Sequence, residues 1–149
     1  MREILFRGKS KSINKGEWIY GSFVEDTDLN ACCIRDKSLV YELVDRETVG
    51  QYTGLTDKNG KKIFEGDVLK IISSVKGEIM DNTCAFQSAK REDCAVVLWN
   101  YKTGGYKLKV YHKGKYKRIA NFAIGHLCVY NAEVIGNIYD NPELLEVEQ

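Results

Sequence analysis

Apolar residues along this chain fall in short runs that are rich in β-branched and aromatic side chains, and most runs end at glycine, asparagine or aspartate. Such runs are typical of strands separated by tight turns. No long window carries apolar side chains at the 3.6-residue spacing of an amphipathic helix. The pattern predicts a mainly β chain of at least eight strands, with helix below about 20%. One short helical turn is predicted after Asn141-Pro142, because proline suits the first helical position.

Paired apolar runs near the start of the chain predict two hairpins. The first joins Ile4–Arg7 to Trp18–Val24, and the second joins Leu29–Ile34 to Leu39–Val44. Asn59-Gly60 predicts the tip of a further hairpin, since both residue types accept the positive φ angles that such tips need.

The second half of the chain has the pattern of a three-stranded meander. Ala95–Tyr101, Tyr106–His112 and Lys115–Ile119 are joined by short links that contain glycine. A last strand is predicted over Glu133–Tyr139, and Trp99 is expected to be largely buried. Ser73–Asp93 is polar, mixed in charge sign and without alternation, which predicts a long loop or insertion.

Length and charge limit the classes of function. The 149 residues suffice for one compact domain, or for a small domain with an appended subdomain. Lys and Arg number 22 against 21 Asp and Glu, so the net charge indicates neither a nucleic-acid nor a membrane partner. The first residues are charged, and the five cysteines lack C-x-x-C spacing. We expect a reduced, cytoplasmic protein without a metal site or a cofactor.

Candidate catalytic groups are few. The chain has two histidines, His112 and His126, and neither lies in an H-x-x-x-H pair. His126 and Cys128 share one face of any strand, but the apolar residues around them favour a buried thiol over a nucleophilic one. The glycine-containing segment Gly54–Lys62 has the wrong spacing for a phosphate loop and lacks the acidic ligand of a calcium loop. We expect no enzymatic activity and assign no catalytic residue.

Positive charge is concentrated between Asp93 and Glu133, a span without acidic residues. On an alternating strand, every second residue from Lys107 to Lys113 shares one face. A basic face with interleaved aromatic rings suits phosphates and stacked bases. Lysines on a strand also prevent edge-to-edge pairing, and this second interpretation is favoured. The candidate nucleic-acid-binding residues are Lys107, Lys109, Tyr111, Lys113, Lys115, Lys117 and Arg118.

Three segments resemble one protein family. The run Thr48–Val68 resembles the signature of the YopX family, whose members occur mainly in bacteriophages and prophages. The ending Glu133–Leu145 is similar to that family's closing segment, and Arg2–Arg7 fits its usual start. The resemblance implies an irregular N-terminal portion tied to oligomer formation and a C-terminal SH3-like β-barrel. It supplies no catalytic residues.

The resemblance and a boundary near Asp45–Gly50 divide the chain into two regions. Residues 1–46 are expected to form an N-terminal hairpin region for oligomerisation, and residues 47–149 an SH3-like β-barrel with a polar loop or insertion at 73–93. About 45 residues are too few for a core of their own, and the hairpins are expected to leave strand edges unpaired. We therefore expect self-association, with a closed ring as one form.

The function expected from these observations is macromolecular binding. A phage- or prophage-derived homo-oligomer would serve a non-enzymatic binding or adaptor role, with a phage or host protein as its partner. The alternative is a nucleic-acid-binding module that uses the basic and aromatic strands at 102–118.

Overall fold

The computed structural model describes residues 3–12, 15–28, 30–75, 89–121 and 132–146. Within these ranges the chain forms eleven strands and two short 3-10 helices, so the mainly β prediction is confirmed. The strands make two antiparallel sheets. No helix in this described part is long and apolar enough to cross a membrane.

The first sheet has six strands. They are β1 (Phe6–Lys9), β2 (Trp18–Asp26), β3 (Ala31–Arg35), β4 (Tyr41–Leu43), β5 (Gly50–Thr56) and β6 (Lys62–Phe64), with a 3-10 helix, η1 (Arg46–Thr48), before β5. Their order across the sheet is β4-β3-β2-β1-β5-β6. The sheet belongs to a compact unit formed by Met1–Thr56 and Lys62–Gly66.

One buried cluster of this unit lies on the side of the sheet that carries Ile34, while Arg7, Tyr52 and Phe64 are buried on the side that carries Tyr20. Cys32, Ile34 and Val44 form the cluster, and partly buried apolar side chains pack against them: Phe6, Ile19, Phe23 and Val49. Gly21 lies opposite Phe6, where a Cβ would come within 2.0 Å of the Arg35 carbonyl oxygen. β2 and β3 therefore approach each other at a position that only glycine fits.

The second sheet has five strands. They are β7 (Asp67–Val75), β8 (Ala89–Asn100), β9 (Gly105–His112), β10 (Lys115–Asn121) and β11 (Glu133–Asn137), and a 3-10 helix, η2 (Pro142–Leu145), follows them. Their order is β10-β9-β8-β7-β11. The second compact unit comprises Asp57–Lys61 and Asp67–Gln149.

Alternation along the strands builds the second core. Leu69 on β7 lies opposite Ala95 on β8, and Ala95 lies opposite Val110 on β9; all three are buried. Val97 and Leu108 form the next buried pair. These β-branched and aliphatic side chains fill one face of the sheet, which explains the runs that the sequence shows.

Most predicted elements are confirmed. β1 pairs with β2 and β3 pairs with β4, as the two N-terminal hairpins require. Gly60 adopts a φ of 81° at the tip between β5 and β6. β8, β9 and β10 form the predicted meander, and η2 is the short helical turn after Asn141-Pro142.

The loop predicted over Ser73–Asp93 is wrong at both ends, where the structure has strand. Ser73–Val75 and Ala89–Asp93 are strand, and β7 pairs with β8 as far as Val75 opposite Ala89. Backbone hydrogen bonds extend this antiparallel pair without requiring apolar side chains, and so composition alone misplaces its end. Residues 76–88 lie outside the described residues, as do His126 and Cys128.

Two further expectations need adjustment. Trp99 is half-buried, with its ring edge-on to Tyr106 at a centroid separation of 5.1 Å. Neither sheet closes into a barrel among the described strands: β4 and β6 are the outer strands of the first sheet, and β10 and β11 of the second.

Candidate functional site

β9 carries the basic positions predicted from the sequence. Lys107, Lys109 and Tyr111 are half-buried on one side of this strand, while Leu108 and Val110 are buried on the other. Lysine side chains in such a place cover apolar surface with their methylene stems and keep the ammonium group in water. Lys107, Lys109 and Tyr111 therefore form a solvated surface over the packed sheet.

Lys109, Tyr111 and Tyr116 form a side-chain cluster on this surface. Tyr111 on β9 lies opposite Tyr116 on β10, with ring centroids 6.3 Å apart and planes at 76°. The Lys109 ammonium lies 5.4 Å from the Tyr111 centroid and 5.8 Å from that of Tyr116, within cation–π range. Its side-chain hydrogen bond to Tyr111, and then the charge interaction with that residue, raise the pKa of Lys109.

The seven predicted residues do not share one face. Lys113 lies in the turn after β9 with a φ of 46°, so it does not continue the face of Lys107. Lys115 lies opposite His112. Lys117 lies at a β-bulge, where the register of β10 against β9 shifts between Tyr116 and Arg118. Arg118 pairs with Val110, and its side chain lies outside the described part. Strand alternation from the sequence could not foresee the bulge at Lys117, which reverses the side on which later residues lie.

A different surface, on the first sheet, was not identified from the sequence. We call it the outer face: Tyr20 and Val24 on β2, Cys33 on β3, and Tyr41 and Leu43 on β4. Cys33 lies opposite both Val24 and Leu43, so these side chains share the side of the sheet away from Ile34. The four large side chains are between 37% and 56% exposed, and Cys33 is half-buried.

The outer face has charge of opposite sign at its two ends. Asp26 on β2 pairs with Ala31 at one end, and Arg35 on β3 pairs with Ser22 and Tyr41 at the other. The Arg35 guanidinium lies 5.9 Å from the Tyr41 ring centroid. Burial raises the pKa of the Cys33 thiol, so this group is neutral at physiological pH.

The edge of β4 is less open than the sequence suggests. The Lys11 amide donates to the Leu43 carbonyl oxygen at 2.8 Å, and Ser10 forms a bridge with Val44. The Ser10 and Ser12 hydroxyls both donate to the buried Glu42 carboxylate. The expectation that the N-terminal hairpins leave their edges unpaired is therefore wrong at this end of β4, and the face rather than the edge is the exposed feature.

The second sheet contains a carboxylate–imidazole pair that sequence reasoning also missed. Asp93 Oδ1 lies 2.8 Å from His112 Nδ1, and the Asp93 side chain is fully buried. The signal is the register: Cys94 lies opposite Tyr111, so Asp93 and His112 form the next pair. The contact fixes the imidazole on β9 against β8. Among the described residues, no group of three or more His, Cys, Asp or Glu side chains could hold a metal ion.

Asp57 accounts for part of the Thr48–Val68 signature. Its Oδ1 accepts hydrogen bonds from the Asn59 and Lys61 amides at 2.8 and 2.9 Å, and its Oδ2 accepts one from the Val134 amide at 3.0 Å. Burial alone would raise the pKa of Asp57, but these three amides outweigh it and lower the pKa. The arrangement is structural, because it fastens residues 57–61 to β11.

Comparisons with known proteins agree with this architecture. No curated protein matches the chain. Protein EF1440 from Enterococcus faecalis, known from a crystal structure, is similar to it at a TM-score of 0.52 and 22% identity, over 98% of this chain and 100% of that one. This likeness shows the fold. The sequence model of the YopX protein family matches residues 5–146, nearly the whole chain, and this protein therefore belongs to the YopX family.

Proposed function

We propose that this chain is a non-enzymatic binding protein that associates with further copies of itself through the outer face. The observation that carries the proposal is the grouping of four exposed, large apolar side chains on β2 and β4, on either side of the half-buried Cys33 of β3. Contiguous exposed apolar patches mark interaction sites, whereas isolated exposed apolar residues need no explanation. Tyr20 and Tyr41 add rings of the kind that is enriched at the centres of interfaces.

Burial of the outer face against a second sheet supplies a favourable free energy of about 25 cal/mol for each Å² of apolar surface. Two sheets pack face to face about 10 Å apart, with interdigitated side chains. The outer face offers such packing large side chains at alternate positions, Tyr41 and Leu43 on β4, beside Val24 on β2. A short edge strand such as β4 offers less to a partner than this face does.

The resemblance to the family also implies an SH3-like barrel and assembly into a ring, and we include these expectations in the proposal. The order β10-β9-β8-β7-β11 supports an SH3-like barrel, since the last strand returns beside the first and only contact of β10 with β11 is needed to close the sheet. Assembly into a ring, a cytoplasmic adaptor role and a phage or host protein as partner remain predictions.

Light scattering of the full chain over a dilution series tests the proposal. Val24→Lys combined with Leu43→Lys places two ammonium groups on the outer face. We expect this variant to be a 17.0 kDa monomer where the parent protein is oligomeric, because burial of unpaired charge is unfavourable. Lys107→Gln combined with Lys109→Gln on β9 is the matched control and should leave the mass unchanged. A parent protein that is monomeric at about 100 μM would refute self-association.

Binding of single-stranded nucleic acid through β9 and β10 is the second candidate function. The observation that favours it is the cluster of Lys109 with Tyr111 and Tyr116, beside the exposed Lys113 and Lys115. A base stacked on an aromatic ring contributes about 1–3 kcal/mol, and lysines near a strand neutralise phosphates.

A salt titration of single-stranded DNA binding tests this second candidate. Contact with three or four phosphates predicts that affinity falls by about two to three powers of ten for each tenfold rise in salt. Lys107→Gln combined with Lys109→Gln and Lys113→Gln should reduce both the affinity and the salt slope. If the parent shows no binding at about 50 mM salt, the lysines serve to solvate the sheet edge.

A further inference from the structure

The turn between β5 and β6 places an asparagine and a glycine next to each other at its tip. Asn59 and Gly60 are both exposed, and they are the one Asn-Gly step in the sequence. Gly60 has a φ of 81°, and nothing lies within 4 Å of the position that a Cβ would take. No side chain at this position therefore screens the Gly60 backbone nitrogen from its neighbour.

An asparagine that precedes a glycine can react with its own main chain, and asparagine is one of the thermolabile residue types. The glycine nitrogen loses its proton and attacks the side-chain amide carbon, and ammonia leaves as a succinimide ring forms. Water then opens the ring at either carbonyl group. The products are aspartate or isoaspartate, and in isoaspartate the main chain runs through the side chain and is longer by one carbon atom.

Hydrogen bonds to Asp57 oppose this attack in the folded protein. The Gly60 amide, which contains the attacking nitrogen, donates to the Asp57 carbonyl oxygen at 3.0 Å. The amides on either side, of Asn59 and Lys61, donate to Asp57 Oδ1 at 2.8 and 2.9 Å. Three consecutive amides are therefore held by one residue, and the Gly60 nitrogen is not free to attack until its own hydrogen bond breaks.

Contacts with β11 and the residue before it hold the same turn in place. Asp57 Oδ2 accepts from the Val134 amide at 3.0 Å. The Lys58 amide donates to the Ala132 carbonyl oxygen at 3.0 Å, and the Lys58 ammonium lies 2.6 Å from the Glu133 carboxylate. Movement of Asp57 away from the turn therefore also breaks its contact with the second sheet.

We propose that Asn59 is a site of spontaneous deamidation, and that the hydrogen bonds of Asp57 keep it unreactive while the second unit is folded. Reaction then proceeds from the small fraction of molecules in which the turn is open. Isoaspartate at position 59 lengthens the turn, so that Asp57 no longer reaches the same amides. The fold thus carries a chemical limit on its lifetime, and the stability of one turn sets that limit.

The rate of deamidation, measured by peptide mass spectrometry, tests the proposal. The full chain is incubated in mildly alkaline buffer, folded in one sample and unfolded by urea in the other. We expect position 59 to react at least about tenfold more slowly in the folded protein, because the turn must first open. Equal rates would overturn the protection, and an unfolded chain that keeps Asn59 intact would overturn the site itself.

Asp57→Asn tests the part played by the carboxylate. The variant cannot hold all three amides, so position 59 should react at least about fivefold faster than in the folded parent. Asn100 is the internal control, since the bulky Tyr101 follows it in another turn of the same unit, and its rate should not change. An unchanged rate at position 59, or an equal rise at Asn100, would overturn the local role of Asp57.

Asn59→Asp separates the added charge from the longer backbone. Its Tm should stay within about 2 °C of the parent value, as expected for an exposed position. The isoaspartate fraction, purified from aged parent protein, should melt at a lower temperature than Asn59→Asp. Equal Tm values for that fraction and the parent would overturn the limit on lifetime.

Discussion

β10 and β4 are each an outer strand of their sheet among the described strands. β10 carries the exposed Lys115 and Lys117, and β4 carries the exposed Tyr41 and Leu43. Their chemistry is opposite. β10 carries ammonium groups and a bulge at Lys117, both of which hinder pairing with another strand. β4 and its neighbours carry aromatic and aliphatic side chains in the same kind of position.

This difference is the basis for the expectation that the first sheet, and not β10, is covered by another molecule. A lysine-rich strand keeps its charges hydrated and resists burial in an apolar interface. An apolar face gains free energy when it is covered. The three predictions below test the contrast between the first sheet and the second, beginning with the largest expected effect.

Gly21→Ala should destabilise the protein by more than about 2 kcal/mol, because the added Cβ would lie 2.0 Å from the Arg35 carbonyl oxygen and force β2 away from β3. The same change should weaken self-association, since these two strands carry most of the outer face. Urea unfolding and light scattering measure the two effects. Gly105→Ala on β9 is the matched control, because its Cβ would meet nothing within 4 Å. Equal losses of stability and of self-association in the two variants would contradict the contrast between the two sheets.

Asp57→Asn should destabilise the second unit by about 1–3 kcal/mol at pH 7, because the amide group cannot accept all three backbone hydrogen bonds. The lowered pKa of Asp57 means that its contribution is complete above the pKa of the unfolded chain and is lost as pH falls through the lower folded value. Urea unfolding from pH 7 to pH 2 should therefore show the variant and the parent converging in acid.

Asp36→Asn is the control for Asp57→Asn in the first sheet. The Asp36 carboxylate also accepts two amide hydrogen bonds, but with a single oxygen, which an asparagine side-chain oxygen can replace. We expect a change below about 0.5 kcal/mol. If the free energies of unfolding of the Asp57→Asn variant and the parent differ by the same amount down to pH 2, the acid effect does not come from Asp57.

The smallest effect is expected on the basic surface. Lys107→Gln combined with Lys109→Gln and Lys113→Gln should change the free energy of unfolding by less than about 0.5 kcal/mol and leave the mass in solution unchanged. Differential scanning calorimetry and light scattering measure both. A large loss of stability would mean that the contact of Lys109 with Tyr111 and Tyr116 supports the sheet.

Sequence pattern predicted the hairpins and the meander because glycine and asparagine turns mark their ends, as Gly60 does at φ 81°. It did not predict the outer face. Glu42 is buried against two serine hydroxyls, while Tyr41 and Leu43 on either side are exposed, so alternation indicates the wrong side of β4 for the core. The pairing of Asp93 with His112 depends on register, which a sequence does not show until the strands are aligned.

The hydrogen bond between Asp57 and the Val134 amide joins residues 77 positions apart in the sequence. During synthesis the Asp57 carboxylate is made long before its third donor, so the early chain holds this group with two amides only. Contacts of such long range form late, since the intervening chain must first be ordered. A product that ends before Val134 would lack this donor and the pairing of β11 with β7, so we expect it to open more readily and to be cleaved faster by proteases than the full chain.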